Sequence, residues 1–260
     1  MKSINLWEHT SNEIKELAPT HVVFQPVAAI EQHGPHLPLG TDSFICEEFT
    51  ERLKEKVIEN NYPGLFLPLM PYGKSNEHTL YPGTITYSVQ TYMSVLMDIG
   101  RSCARSGFKK MVFVNGHGGN QEVLDVICRE LRIETGMEVF ALHPLIRMTP
   151  NLADVLSPDE ARVGIHAGRV ETSVIMKIRP ECVREDKIKS AKDYSVDFKE
   201  YNYIDYSNKI SFGWMTQDVT KTGAIGDPSG ANPDEAERWI EEVTNMLFDA
   251  CLDILKFERL

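Results

Sequence analysis

Cysteine is scarce in this chain: five residues (Cys46, Cys103, Cys128, Cys182 and Cys251), an odd number with no C-x-x-C pair. That excludes a disulfide framework and a thiolate zinc site, and it fits reduced thiols in a cytoplasmic protein. Basic runs are also missing. None is longer than Lys109-Lys110, and 38 acidic against 27 basic residues leave a net charge of −11. Phosphate backbones and anionic membranes attract basic patches, so general nucleic-acid or membrane-surface binding is excluded. No segment approaches the roughly 20 apolar residues that span a bilayer. The N-terminal stretch Met1–Glu8 has neither an apolar h-region nor a cleavage pattern. With no internal repeat, low-complexity tract or linker, residues 1–260 are expected to form one domain. At 42% hydrophobic and 25% charged residues, the composition is that of a soluble globular protein.

What is present is an alternation of strands and helices. Thr10-Ser11-Asn12-Glu13 is a capping box that opens a short helix. Val22–Ile30 reads as a buried strand, although Pro26 removes a ladder donor and points to an edge position, a bulge or a misplaced boundary. A helix is expected over Ser43–Asn60 and a second strand over Leu65–Met70. The clearest unit is a helix from Ser88 to Ser106, a strand Lys110–Asn115, a glycine-rich loop Gly116–Asn120, a helix Gln121–Thr135 and a strand Met137–Leu142. Such a run predicts an α/β fold, a mostly parallel sheet with helices on its faces, whose site lies beyond the strands' carboxyl ends. Val174–Ile178 is helix or strand. The polar stretch Pro180–Trp214, with Tyr194, Tyr201, Tyr203 and Tyr206, reads as a surface excursion that serves as a lid or an oligomer contact. A tight loop Gly223–Gly230 precedes a C-terminal helix capped by Asn232 with Glu235, its buried stripe being Trp239, Val243, Met246, Leu247, Ala250 and Ile254.

Chemistry concentrates where strands end. Glu31-Gln32-His33-Gly34-Pro35-His36-Leu37-Pro38-Leu39-Gly40-Thr41-Asp42 packs two carboxylates and two imidazoles into twelve residues directly after the first strand. These groups hold borderline divalent ions such as Zn²⁺ or Mn²⁺. Glu31 and His33 are two apart, which at a strand end sends both to one side. His117 follows another strand, and His166 and Glu171 lie in His166-Ala167-Gly168-Arg169-Val170-Glu171-Thr172-Ser173. Glu31, Asp42 and Glu171 bring −3 against +4 from two divalent ions, and one bridging hydroxide neutralises the remainder. Asp42, with two oxygens at the end of a long loop, is the natural bridge.

These residues resemble those of the creatininase (creatinine amidohydrolase) family. The match covers Glu31–Asp42, Gly73-Lys74-Ser75-Asn76-Glu77-His78, Tyr81-Pro82-Gly83-Thr84, Asn115–Asn120, His166–Ser173 and Gly226-Asp227-Pro228. The resemblance implies a three-layer α/β/α subunit with two divalent ions (Zn²⁺ or Mn²⁺, with Fe²⁺ a further candidate). It also implies hydrolysis of a C–N bond in a small cyclic amide or formamide, and a homo-oligomer, commonly a hexamer. By position, Glu31 and His117 hold one ion, His33 the other, and Asp42 both. Ser75 matches a position that contacts substrate, and His78, Gly118 and Gly119 are expected beside it. His166 matches a histidine that shuttles a proton to the leaving nitrogen.

Where creatinine-hydrolysing members carry Tyr-Glu, this chain has Gly118-Gly119, so one ligand is missing and Glu171 or water takes its place. Arg162 stands where those enzymes set a tryptophan over the substrate ring. The Gly-Gly form is similar to the formamide-hydrolase branch. Arg162 or Arg169 then either meets a substrate anion or serves as a surface salt-bridge partner. Two other readings compete: a dinuclear phosphoester hydrolase, whose Asp-x-His and Gly-Asn-His elements are absent in the required order, and a non-catalytic, metal-stabilised oligomeric binding protein. Nucleotide binding at Gly116–Asn120 fails the G-x-G-x-x-G spacing.

Overall fold

The chain enters its sheet through α1 (Ser11–Leu17), and the expected capping box forms: Glu13 N donates to Thr10 Oγ1 at 3.4 Å and Thr10 N to Glu13 Oε2 at 2.7 Å. The computed structural model describes residues 3–150, 152, 155–193, 198–206 and 210–258. After α1 come β1 (Val22–Val27), α2 (Thr41–Glu59), β2 (Gly64–Phe66), α3 (Val89–Arg105), β3 (Lys110–Asn115), α4 (Gln121–Thr135) and β4 (Glu138–Leu142). The four strands are all parallel, in the order β2-β1-β3-β4, with Val23 opposite both Leu65 and Met111 and Lys110 opposite Glu138. α5 (Pro158–Val163), α6 (Arg169–Ile178), α7 (Ile188–Ala191), α8 (Thr216–Val219) and α9 (Pro233–Lys256) complete the chain.

Side chains alternate across a strand, and both faces of this sheet are covered. Val22, Phe24, Val112 and Val114 face a core with Phe49 and Leu53 of α2, Val174 of α6 and Trp239 and Leu247 of α9. Val23, Val27, Met111 and Phe113 face the other core, with Tyr92 and Leu96 of α3 and Leu124, Ile127 and Leu131 of α4. The result is the expected α/β/α sandwich. Lys110 Nζ ties sheet to helix by donating to Ile254 O (2.7 Å) and Phe257 O (2.7 Å), a cation at the carboxyl end of α9.

Several expected boundaries move. β1 stops at Val27 rather than Ile30, and β2 at Phe66 rather than Met70. Pro26 lies in an interior strand, not at an edge. Its carbonyl accepts from Met70 N at 3.0 Å, on the side where β2 has already ended, so no ladder donor is missing there. Val174–Ile178 is the end of helix α6. In α9 the buried side includes Trp239, Val243, Leu247 and Ile254, whereas Met246 and Ala250 are half-buried. Asn232 accepts from Asp234 N, and Glu235 pairs with Arg169 (2.8 Å) rather than completing a capping box. Of the named tyrosines, Tyr194 lies outside the described residues.

The order of strands fixes where a site forms. The chain leaves β1 outward to β2 and returns on the other side of β1 to make β3. The carboxyl ends of β1 and β3 therefore open a crevice at a switch point, where ligands sit in open α/β sheets.

Candidate metal centre

The segment after β1 and the loop after β3 both run into that crevice. Gly34, in the left-handed region at φ 66°, turns the chain back, and Asp42 arrives buried in the first turn of α2 rather than ahead of it. Glu31, His33, Asp42 and His117 are each at least 96% buried. Asp42 stands between two imidazoles: Oδ1 is 3.3 Å from His33 Nε2 and Oδ2 is 2.9 Å from His117 Nδ1. Glu31 Oε2 lies 3.3 Å from His117 Nε2, and Glu31 Oε1 lies 3.3 Å from His78 Nε2 and 3.7 Å from His166 Nδ1. Glu171 comes from the first turn of α6, held by Ala167 N donating to its Oε2 at 2.6 Å.

Three groups have ligand atoms mutually within 4.8 Å: Glu31–Asp42–His117, His33–Asp42–Glu171 and Glu31–His33–His166. The first two share Asp42. Glu31 Oε2, His33 Nε2 and Asp42 Oδ2 are buried without a hydrogen bond. Orphaned buried acceptors are costly unless something else satisfies them, and nitrogen and carboxylate oxygen suit Zn²⁺ or Mn²⁺. The residues fit a divalent pair.

The field of the site agrees. Burial pushes the Glu31 carboxyl up to about 7 against the pull of His117. Burial opposes charge on His33 and His117, yet Asp42 lifts His33 to about 9, and Glu31 and Asp42 lift His117 to about 10. Asp42, despite burial, is held far below the usual carboxylate range by the same two rings. Burial raises Glu171. It also drives His78 down to about 3 and His166 well below its ordinary value, helped in both by the charge of His33. Three carboxylates thus draw protons onto two rings, which is what a pocket shaped for cations does without them.

The remaining expected residues fall around this core. Ser75 is fully buried with Oγ 3.4 Å from His117 Nε2, and His78 backs Glu31. Gly118 and Gly119 line the cavity, but differently: a Cβ on Gly118 meets nothing within 4 Å, whereas one on Gly119 would sit 2.5 Å from Glu77 Oε1 and 2.6 Å from His117 Nε2. This backbone leaves no room for a side chain at Gly119. His36, the second imidazole of the first motif, does not join the cluster; its Nε2 pairs with Thr172 Oγ1 at 2.9 Å. Arg162 pairs with Asp159 and Arg169 with Glu235, the salt-bridge alternative.

Sequence reasoning missed a supporting layer. Asn115 grips the backbone of His117 from both sides, donating to its O (2.7 Å) and accepting from its N (3.2 Å). Asn120 donates to Asn115 Oδ1 and Ala28 O and accepts from Lys74 N, tying the loops together. Such partners orient metal ligands. The segment expected to be a surface excursion also reaches the site: Tyr206 packs on both Phe212 and Trp214, and the three wall a cavity of about 1190 Å³ with Leu145, Pro150 and the ligand-type residues.

Comparison with known proteins gives the same picture. The family described as "Creatininase: Creatinine amidohydrolase" matches residues 7–251. The chain is 30% identical over 248 residues to the mycofactocin precursor peptide peptidase of Mycolicibacterium smegmatis, covering 95% of this chain and 88% of that protein. It is 30% identical over 187 residues to the creatinine amidohydrolase of Pseudomonas putida, covering 68% and 71%. A formylamino-pyrimidine deformylase from Methanothermus fervidus is 23% identical over 88% of this chain and 83% of its own. Among solved structures, a putative creatinine amidohydrolase from Bacteroides fragilis superposes with a TM-score of 0.80 at 23% identity, covering 100% of this chain and 99% of that one. A zinc–zinc variant of creatininase superposes with a TM-score of 0.74 at 24% identity, covering 97% and 98%, and a manganese form with 0.71 at 23%, also covering 97% and 98%. A deformylase is among the relatives, in keeping with the Gly-Gly motif, but at lower identity than the creatinine amidohydrolase, so the comparisons do not set this chain closer to the formamide-hydrolase branch; the motifs give no sign of the peptidase.

Proposed function

The chain belongs to the creatininase family of hydrolases, and from that membership and the site's geometry we propose a dinuclear, metal-dependent amidohydrolase that cleaves a C–N bond. The observation that carries this is the sharing of Asp42 between two ligand groups, Glu31–Asp42–His117 and His33–Asp42–Glu171. In this reading Glu171 fills the place that Gly119 leaves empty. When bound, the two ions (Zn²⁺ or Mn²⁺) supply an acidified water at neutral pH and polarise the attacked carbonyl.

The chain's own residues orient and move protons. His166 Nε2 lies 2.7 Å from Gln32 O, which only accepts, so its proton sits there and Nδ1 faces Glu31 with a free lone pair. Nδ1 is then the atom that receives the proton of the attacking water and passes it to the leaving nitrogen. Gly118 gives the substrate an open floor, Gly119 closes against Glu77 and His117, and Ser75 and His78 steady His117 and Glu31 from behind.

A small cyclic amide or formamide is one substrate class, in keeping with the amidohydrolase and deformylase relatives. A peptide is a second, and a specific observation favours it: about 1190 Å³ walled by Phe212, Trp214, Leu145 and Pro150 is far larger than a single small ring requires. The peptidase relatives match more of the chain than the amidohydrolase does. We place the protein in the cytoplasm as a homo-oligomer; five cysteines without a disulfide among them and the exposed apolar Leu80 and Ile85 are in keeping with this. No helix among the described residues is long and apolar enough to cross a membrane.

The test is metal analysis together with a substrate panel. Protein prepared without chelators is expected to hold close to two divalent ions per chain, and Asp42→Ala to lose both. Lactams, imides, formamides and short peptides, scored by acid or amine released, then separate the two substrate classes. Protein without bound metal, or metal-loaded protein inert towards the whole panel, would overturn the reading.

A further inference from the structure

Gln32 lies between two of the ligand-type residues, but its side chain points to neither. The amide is oriented by two backbone groups of opposite polarity. Gly34 N donates to Oε1 at 2.9 Å, and Nε2 donates to Gly223 O at 2.9 Å. A carbonyl cannot donate and a backbone N–H cannot accept, so Oε1 and Nε2 cannot be exchanged. Gly223 is fixed by the same contact: at φ 91° a Cβ there would strike Gln32 Oε1.

The amide nitrogen also lies 3.1 Å from His166 Nε2, but that ring nitrogen turns its proton to Gln32 O at 2.7 Å and cannot accept, so the second N–H goes to His78 Nδ1, 2.8 Å away. That nitrogen must accept, which puts the ring proton on Nε2, 3.3 Å from Glu31 Oε1. Thr216 Oγ1, 2.9 Å from both His78 Nδ1 and Glu77 O, can donate or accept and is compatible with either tautomer; Gln32 is not. The backbone carbonyl of Gln32 meanwhile holds the proton of His166 on Nε2. The two rings lie with centroids 4.5 Å apart over the same carboxylate oxygen, one presenting an N–H to it and the other a lone pair.

We propose that Gln32 is a positioning residue that sets His78 as a proton donor to Glu31 Oε1 and His166 as an acceptor beside it. Glu31 is thereby turned so that Oε2 is left for the metal. This rests on Glu31 being a ligand. It assigns His78 a part in orienting that ligand, and it explains why an amide sits between Glu31 and His33.

Long-range proton–nitrogen correlation spectra of zinc-loaded protein with isotope-labelled histidine test it, with His78→Gln and His166→Gln used for assignment. The expected result is a proton on Nε2 and a hydrogen-bonded, unprotonated Nδ1 for His78. Gln32→Met should release that Nδ1 and weaken zinc binding about tenfold, the usual effect of losing an outer-shell partner; Thr216→Val should leave the tautomer in place. A proton on His78 Nδ1 in the unaltered protein overturns the proposal, as does Gln32→Met with unchanged zinc affinity. Should the variant fail to fold, the wild-type spectrum still decides. Neither readout needs turnover, so an inactive protein with the expected spectrum would fail the hydrolase reading alone.

Discussion

Loading the metal-free protein with zinc should expel protons, and the number expelled measures how the site is wired. Before loading, His33 titrates at about 9 and His117 at about 10 because Asp42 and Glu31 stabilise their charged forms. A ligand imidazole must be neutral, so each ring gives up its proton when its ion arrives. At pH 8 both rings start protonated, while Glu31, at about 7, retains only about a tenth of a proton. Two ions should therefore release about two protons per chain from the rings, and overall affinity should rise roughly 100-fold per pH unit between about pH 7 and 9. Any water acidified by the ions adds to that count, so the differential is the sharper quantity: His33→Gln should lower the release by about one. Isothermal titration calorimetry in two buffers of different ionisation heat reads both numbers. Release below one proton at pH 8, or no change in His33→Gln, would refute the assigned pairing of rings with ions.

Four further outcomes follow from the same geometry. Metal-free protein should lose thermal stability as pH rises from about 6.5 through 10, because the folded state holds protons on His33 and His117 that the unfolded chain has already released; zinc should abolish the slope in melting curves. His166→Gln should keep its metal, by elemental analysis, while turnover falls by roughly 10²–10⁴, as for a lost proton-transfer group; equal loss of both would make it a ligand. Gly119→Ala, whose Cβ collides with Glu77 Oε1 and His117 Nε2, should cost about 1–3 kcal/mol in denaturant melts and weaken zinc binding. Gly118→Ala, opening on empty space, should change neither.

The residues that were legible in the sequence were those with a local cause. Lys110–Asn115 and Gln121–Thr135 are bounded by their own stop signals, Gly107, Gly116 and Gly136, and the structure has them at those limits. Glu31, His33 and Asp42 are close in sequence and flanked by turn residues, so their convergence needed only the Gly34 turn. The apolar run Leu67–Met70 suggests a longer β2, but Pro68 has no N–H for a ladder, and its carbonyl is taken by Gln25 Nε2 at 3.0 Å. Val174–Ile178 is short and β-branched at its start, a pattern that periodicity alone does not resolve. The aromatic wall was hidden because Tyr206, Phe212 and Trp214 are spaced through a polar segment without helix or strand period.

Gln32 marks the limit of that legibility. Its partners lie 46 residues away at His78, 134 at His166 and 191 at Gly223, on segments whose meeting depends on the strand order. A glutamine between two ligands reads locally as a spacer. Only when β1 lies next to β3, and the loops carrying residues 78, 166 and 223 close over their carboxyl ends, does its amide acquire a polarity to impose. The proposed metal ligands are legible from residue type because borderline divalent ions such as Zn²⁺ favour carboxylate and imidazole. The groups that decide which oxygen or nitrogen faces the ion are neutral amides and backbone carbonyls, which carry no such signature. They are visible only as distances.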